Sequence, residues 1–277
     1  MTNEIHMDAL VPPDMARHAE LVGIRKVEMD AVTTFILAVL AGAFVALGAV
    51  FATTVTTGEG LPFGLTKLVG GLVFCLGLVL VIVAGAELFT GNSLIVMAWA
   101  SGKISLRQLL RNWLIVYAGN FVGSLATAGL MFFSRQYTFS GGAVGASALK
   151  IANAKVELGF VQAIVLGVLC NVLVCLAVWL TFSARSTTDK ILAILFPISA
   201  FVAAGFEHCV ANMYFIPMGL FIQGFDADFV TRIGLDLPDL TWGNFLLNNL
   251  LPVTIGNVFG GAVMVAAVYW FIYLRRR

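Results

Sequence analysis

The sequence predicts an all-α polytopic membrane protein: six transmembrane helices in an inverted 3+3 repeat, with spans two and five broken in mid-membrane. Three observations carry this. Of the 277 residues 60% are hydrophobic and only 11% are charged, with a mean hydropathy of +0.97, whereas about a quarter of the residues in a soluble domain are charged. Six apolar runs are long enough for the roughly 20 helical residues that cross a bilayer, and two of them are too long for one straight helix. Those two overlong runs share a motif.

Residues 1–30 hold nine charges and no continuous apolar stretch, unlike the basic start and hydrophobic middle of a cleavable signal peptide. Within them Pro12-Pro13-Asp14 predicts a helix start, with Met15, Leu21, Val22 and Met29 available for one apolar face. The single membrane domain is expected over 31–277. Its simple spans fall near 31–57, 110–133, 158–183 and 244–274, whereas 68–100 and 191–225 run almost uncharged for 33 and 35 residues. As straight helices the long runs would reach about 50 Å, against a hydrocarbon core of about 30 Å. A break with a non-helical linker, buried in protein or lining a cavity, absorbs that excess. Each long run carries its one carboxylate near the middle, Glu87 and Glu207.

Eleven of the sixteen Lys and Arg residues fall in the loops on the side of the termini and five on the other, which places both termini in the cytoplasm. The 224–240 loop, with four aspartates, then faces outward as a solvated turn region. A net charge of +1 provides no field to gather polyanions, so nucleic acid is not an expected partner. Cys75, Cys170, Cys175 and Cys209 lie in apolar runs without a CxxC spacing, and read as small core residues rather than as disulfides or metal ligands.

The two long runs match at a spacing of 120 residues: Gly85 to Asn92 and Gly205 to Asn212 both read GxExxx[GA]N. The spans that follow match as well, Asn112 to Gly123 and Asn249 to Gly260 both reading Nx6GNxxG. Each half holds three spans, an odd number, so the halves insert in opposite directions and their central site lies near mid-membrane. The GxxxG pairs Gly119/Gly123 and Gly256/Gly260 are read as helix-packing positions. Gly85, Gly91 and Gly205 flank the carboxylates and are read as helix breaks.

Ionisable groups inside a bilayer are costly and sit in a bundle interior or along a pathway, which singles out Glu87, Glu207 and His208. Two roles are open to the carboxylates: lining the path, or holding the linkers together by accepting their freed N–H groups. His6 and His18 fall in the polar N-terminal region and are expected at the surface. No HExxH or GxSxG pattern is present and one membrane histidine cannot assemble a zinc or bis-histidine haem site, so enzyme chemistry is not expected. A purely structural scaffold would not require matched polar breaks in both halves.

Taken together, AELFTGN and FEHCVANMYFIPMG at the breaks, TKLVGG at the start of span two and NWLIVYAGNFVG in span three resemble the formate/nitrite transporter family, most closely its formate channel branch. The resemblance covers essentially the whole chain. It implies an aquaporin-like fold without NPA triplets, a homopentamer in the lipid of a bacterial inner membrane with a pore in each protomer, no cofactor and no metal. The implied substrates are formate and similar small monovalent anions; the same motifs also fit a nitrite or hydrosulfide channel.

By resemblance, Leu88, Phe89 and Thr90 form an inner constriction with Leu78 and Val174, and Phe74 and Phe201 an outer one. His208 sits between them, opposite Thr90. Lys155, placed in the loop before span four, joins Glu207 and Asn212 in a polar network, and Asn171 and Asn257 offer polar contacts. The N-terminal helix is implied as a pH-dependent gate. An anion passing such a site sheds water, and broken-helix N-termini, the Thr90 hydroxyl and the His208 imidazole are the groups that replace it. Transfer of a proton from His208 would carry the substrate across as the neutral acid.

Overall fold

A computed structural model of the chain describes residues 9–58 and 60–275. The expectations for His6 and for the rest of 1–8, and those for Arg276 and Arg277, lie outside the described residues. The fold is all-helical. Among the described residues five helices are long and apolar enough to cross a membrane, and Gly91–Ala100 and Cys209–Phe225 are shorter apolar helices that follow the breaks.

Helix α1 (Pro12–Glu28) opens with proline in its first turn and Asp14 beside the positive end of the helix. Its buried face is Met15, Ala16, Ala19, Gly23 and Val27 rather than the bulkier set expected, and Leu21 points outward. Small residues win because α1 lies tightly against a neighbour: a Cβ on Gly23 would stand 3.2 Å from that of Ala98. Lys103 pairs with Glu20, and the Ser183 hydroxyl donates to the Leu10 carbonyl at 2.9 Å. These contacts pin α1 under the spans.

Span one is α2 (Ala31–Val55), capped by Asp30, whose carboxylate accepts from Val32 and Thr33 N–H. Span two is α3 (Phe63–Gly85), which ends in a π-helical turn, then a linker at 86–90, then α4 (Gly91–Ala100). Span three is α5 (Leu106–Phe133), started by a capping box of Ser105 and Gln108. Between spans three and four lies α6 (Ala143–Val156), and Lys155 sits in its last turn. The expected loop is therefore a helix, held against span five where a Cβ on Gly219 would stand 2.5 Å from that of Ala152.

Span four is α7 (Phe160–Ser183). Span five is α8 (Thr187–Ala203), a linker at 204–208 and α9 (Cys209–Phe225). The aspartate-rich loop carries α10 (Ala227–Ile233), and its Asp226 accepts from the Tyr137 hydroxyl at 2.6 Å. Span six is α11 (Trp242–Tyr273), with two π-helical stretches.

The GxxxG glycines pack helices as read. A Cβ at Gly119 would strike Ala38, and one at Gly123 the Val39 carbonyl, both on α2. In the second half, Gly256 and Gly260 meet the Ile164 and Val168 carbonyls of α7 in the same way. Pairs α2/α5 and α7/α11 are thus equivalent struts in the two halves, and α3 meets α8 between them where Gly71 lies against the Ser199 carbonyl.

Gly123→Ala is expected to cost about 1–3 kcal/mol through overpacking against fixed backbone, read as a lower thermal midpoint of the detergent-purified protein. Gly64→Ala, where a Cβ meets nothing within 4 Å, should leave the midpoint unchanged or slightly raised.

Candidate functional site

Both breaks begin with a glycine in the left-handed region, Gly85 at φ +83° and Gly205 at φ +72°, a conformation that costs other residues energy. Gly91 does not share this role. It starts the first turn of α4 with an ordinary helical backbone, so the first linker turns at one glycine only.

The freed backbone groups are satisfied alike in both halves. Ala86 N–H donates to Val81 O at 2.9 Å and Phe206 N–H to Phe201 O at 3.0 Å. Glu87 N–H reaches Leu37 O of span one at 3.2 Å, and Glu207 N–H reaches Leu166 O of span four at 3.3 Å. Asn120 and Asn257, central to the repeated Nx6GNxxG motif, hold further backbone groups at each break. The Asn120 amide oxygen accepts from Phe89 N–H at 2.9 Å while its NH2 donates to the Ala38 and Glu87 carbonyls. Asn257 accepts from Cys209 N–H at 2.9 Å and donates to the Gly167 and Glu207 carbonyls.

The carboxylates accept from side chains rather than from linker N–H groups. Glu207 takes Lys155 Nζ at 2.8 Å and Asn212 Nδ2 at 2.6 Å, and Asn212 donates also to Asn249 at 2.7 Å. Sequence reasoning missed the twin of this network. Glu87 takes Lys26 Nζ at 2.6 Å and Asn92 Nδ2 at 2.8 Å, and Asn92 donates to Asn112 at 2.9 Å. Lys26 had counted only toward topology. The repeat was the signal that could have found it, since a lysine for Glu207 calls for one for Glu87. The twin networks differ at the asparagine: Lys26 also reaches Asn92 Oδ1 at 3.0 Å, whereas among the described residues the buried Asn212 Oδ1 has no hydrogen-bond partner.

At the centre, Thr90 of one linker and His208 of the other meet, with Oγ1 and Nε2 3.0 Å apart. His208 is also the N-cap of α9, its Nδ1 accepting from Ala211 N–H at 3.2 Å. That partner selects the tautomer: Nδ1 is bare, so Nε2–H donates to the threonine oxygen. The Thr90 hydroxyl hydrogen is thereby left for another acceptor. Thr90 is fully buried, with Asn171 Nδ2 on its carbonyl at 3.3 Å.

A cavity of about 400 Å³ on the α1 side is lined by Leu78, Gly85, Glu87, Leu88 and Lys26. On the opposite side a cavity of about 530 Å³ is lined by Phe74, Phe201, Glu207, His208 and Asn212. Phe74 and Phe201 meet edge to face, centroids 5.7 Å apart, and the His208 ring stacks on Phe201 at 5.9 Å. The expected pore residues thus fall into two groups. Leu78 and Leu88 face one cavity, Phe74, Phe201 and His208 the other, and Thr90 joins the two groups through His208.

Four further expected positions line neither cavity. The Phe89 ring packs on Tyr117 at 4.9 Å and Trp113 at 6.1 Å, anchoring the linker to α5. Val174 is buried among core residues and lines neither cavity. Asn171 and Asn257 commit their amides to protein partners: Asn171 donates to the Asn257 carbonyl at 2.6 Å and to Ser93 at 3.2 Å. Through Ser93 and the Thr90 carbonyl, Asn171 ties the halves together.

The formate/nitrite transporter profile matches residues 13–271 of the chain. The chain is 48% identical to formate channel FocA of Escherichia coli (strain K12) over 273 residues, which cover 97% of this chain and 96% of that protein. It is 44% identical to formate channel FocA of Haemophilus influenzae over 262 residues, 93% of this chain and 92% of the other. A solved pentameric formate channel with formate bound superposes with a TM-score of 0.83 at 48% identity, covering 88% of this chain and 98% of that one.

Lys155→Met leaves Glu207 unpaired and nearly buried, an expected cost of about 3 kcal/mol, measured as a lower thermal midpoint in detergent. Adding Glu207→Gln to that variant should recover much of the loss, because the stranded charge is gone.

Proposed function

The chain belongs to the formate/nitrite transporter family, and on that premise we propose that it conducts formate across the bacterial inner membrane through a path in each protomer of a homopentamer. Both termini then face the cytoplasm and the larger cavity faces outward, in keeping with the excess of Lys and Arg on the side of the termini. The observation that carries the reading is the Thr90–His208 contact between two cavities that open to opposite sides. High identity to a pentameric channel with formate bound supports both substrate and assembly.

A formate ion entering from either cavity loses most of its water at Thr90. The threonine hydroxyl, whose oxygen is already occupied by His208 Nε2–H, donates to a formate oxygen. The positive end of α9 adds a favourable field without a net charge, which suits an anion that must also leave. With His208 neutral, formate crosses as the anion.

Proton transfer needs the doubly protonated imidazole, and that form cannot accept from Ala211. Uptake of a second proton at Nδ1 therefore uncaps α9, and release of the Nε2 proton to formate lets formic acid cross instead of the anion. This ties acid-driven uptake to one hydrogen bond.

Helix α1 is proposed as a gate through His18, which meets Phe182 edge to face at 5.3 Å and lines the α1-side cavity with Lys190. Burial, then Arg25 and Lys190, push its pKa below 6.5. The docked helix thus favours neutral His18: its contribution is complete above pH 6.5 and is lost as pH falls through the lowered value. Removing residues 1–30 would also strip Lys26 from Glu87, so a substitution at His18 is the cleaner probe.

Three outcomes are expected. Wild type in liposomes passes formate, and Thr90→Ala lowers that flux by about tenfold or more, as loss of about 1.4 kcal/mol or more would, while the oligomer stays intact. His208→Gln keeps anion flux near neutral pH but loses the acid-driven rise; an unchanged pH profile would overturn the histidine mechanism. Amide hydrogen exchange over 12–28, corrected for intrinsic rate, accelerates in acid for wild type and stays slow in His18→Phe.

A further inference from the structure

The outward cavity is larger and chemically richer than passage of a one-carbon anion requires. Its 530 Å³ falls among the volumes of sites for small organic molecules. Phe74, Phe201, Phe206 and Phe215 all line it, whereas among the described residues Phe182 is the one phenylalanine lining the α1-side cavity. Lys67 and Lys150 also border the outward cavity, and among the described residues neither has a carboxylate within ion-pair distance. Lys155 is already engaged by Glu207. The mouth therefore combines aromatic walls with two uncompensated positive charges.

We propose that this cavity binds monoanions that carry an aromatic ring, the ring lying on the phenylalanines and the anionic group meeting Lys67 and Lys150, and that such ligands block the path. The proposal rests on the reading of this path as the anion pore. Each half of the ligand is required by a different part of the wall. Ring-on-ring contact adds to apolar burial, and the lysines reject aromatic cations and attract anions in a cleft with low-dielectric walls. A small anion without the ring gains only the charge; an uncharged ring gains only the contact. The edge-to-face closure of Phe74 on Phe201 at the cavity floor stops the ring from following formate inward. Block is one-sided, because the inner cavity lacks the aromatic walls.

The test uses benzenesulfonate, which keeps its single charge at all working pH values, with methanesulfonate and benzenesulfonamide as the ring-less and charge-less controls. Formate uptake is followed in right-side-out and inverted membrane vesicles containing wild type or Lys67→Gln/Lys150→Gln, and binding to the purified proteins is followed by equilibrium dialysis. External benzenesulfonate should inhibit right-side-out vesicles at concentrations where neither control does. The double variant should raise the half-inhibitory concentration and the dissociation constant by about tenfold, and inverted vesicles should be insensitive. Equal inhibition by all three compounds, equal sensitivity of the double variant, or equal block from both sides would overturn the site. Binding that is lost in the double variant, in a protein that passes no formate, would uphold the site and sink the pore reading instead.

Discussion

Backbone groups released at a helix break in mid-bilayer have no water to bond with, and each one left alone costs several kcal/mol. Two fully buried asparagines, Asn120 and Asn257, answer that constraint. Each takes one N–H at its break on the amide oxygen and returns its NH2 to two carbonyls, one of them the linker glutamate's own. The glutamates are then free to accept from lysine and asparagine. Only because the asparagines absorb the backbone can the linkers aim Thr90 and His208 at each other.

The lysines attach this centre to the periphery from opposite sides. Lys26 comes from α1 and Lys155 from α6, two helices outside the spans, and each reaches its glutamate across a long stretch of sequence. The position of either outer helix is thereby felt at a linker. His208 makes the coupling chemical, because the nitrogen that would take a second proton is the one that caps α9. The inverted repeat supplies two equivalent clasps, and the histidine, which has Leu88 as its counterpart, breaks their equivalence.

Much of this arrangement was legible in the chain. Apolar runs too long for the bilayer, each with a single carboxylate, marked the breaks, and the repeat at 120 residues marked the inverted halves. The illegible parts share a cause: their signals are not periodic in hydrophobicity. Helix α1 buries alanine and glycine, which score as weakly apolar yet allow close approach. Helix α6 is short and mixed in composition, so Lys155 looked like a loop residue. Phe89 sits in a linker, where neither a period of 3.6 nor of 2 states which way a ring points, and it turned toward Trp113 and Tyr117. Lys26 was hidden because its partner lies 61 residues on; only symmetry could have connected them.

Backbone-to-backbone packing at Gly123 and Gly260 has a mechanical consequence. Where a helix rests on a neighbour's carbonyls with no side chain between, sliding by even one residue drives a Cβ into main chain, so the α2/α5 and α7/α11 pairs resist shear. A frame stiff in that direction resists the large rocking motion by which many inverted-repeat carriers alternate their access. Its soft coordinates are side-chain rotations at the cavity floors, which belong to the picosecond-to-nanosecond range, and the docking of α1. On the proposed reading, fast permeation and slow regulation then belong to different moving parts.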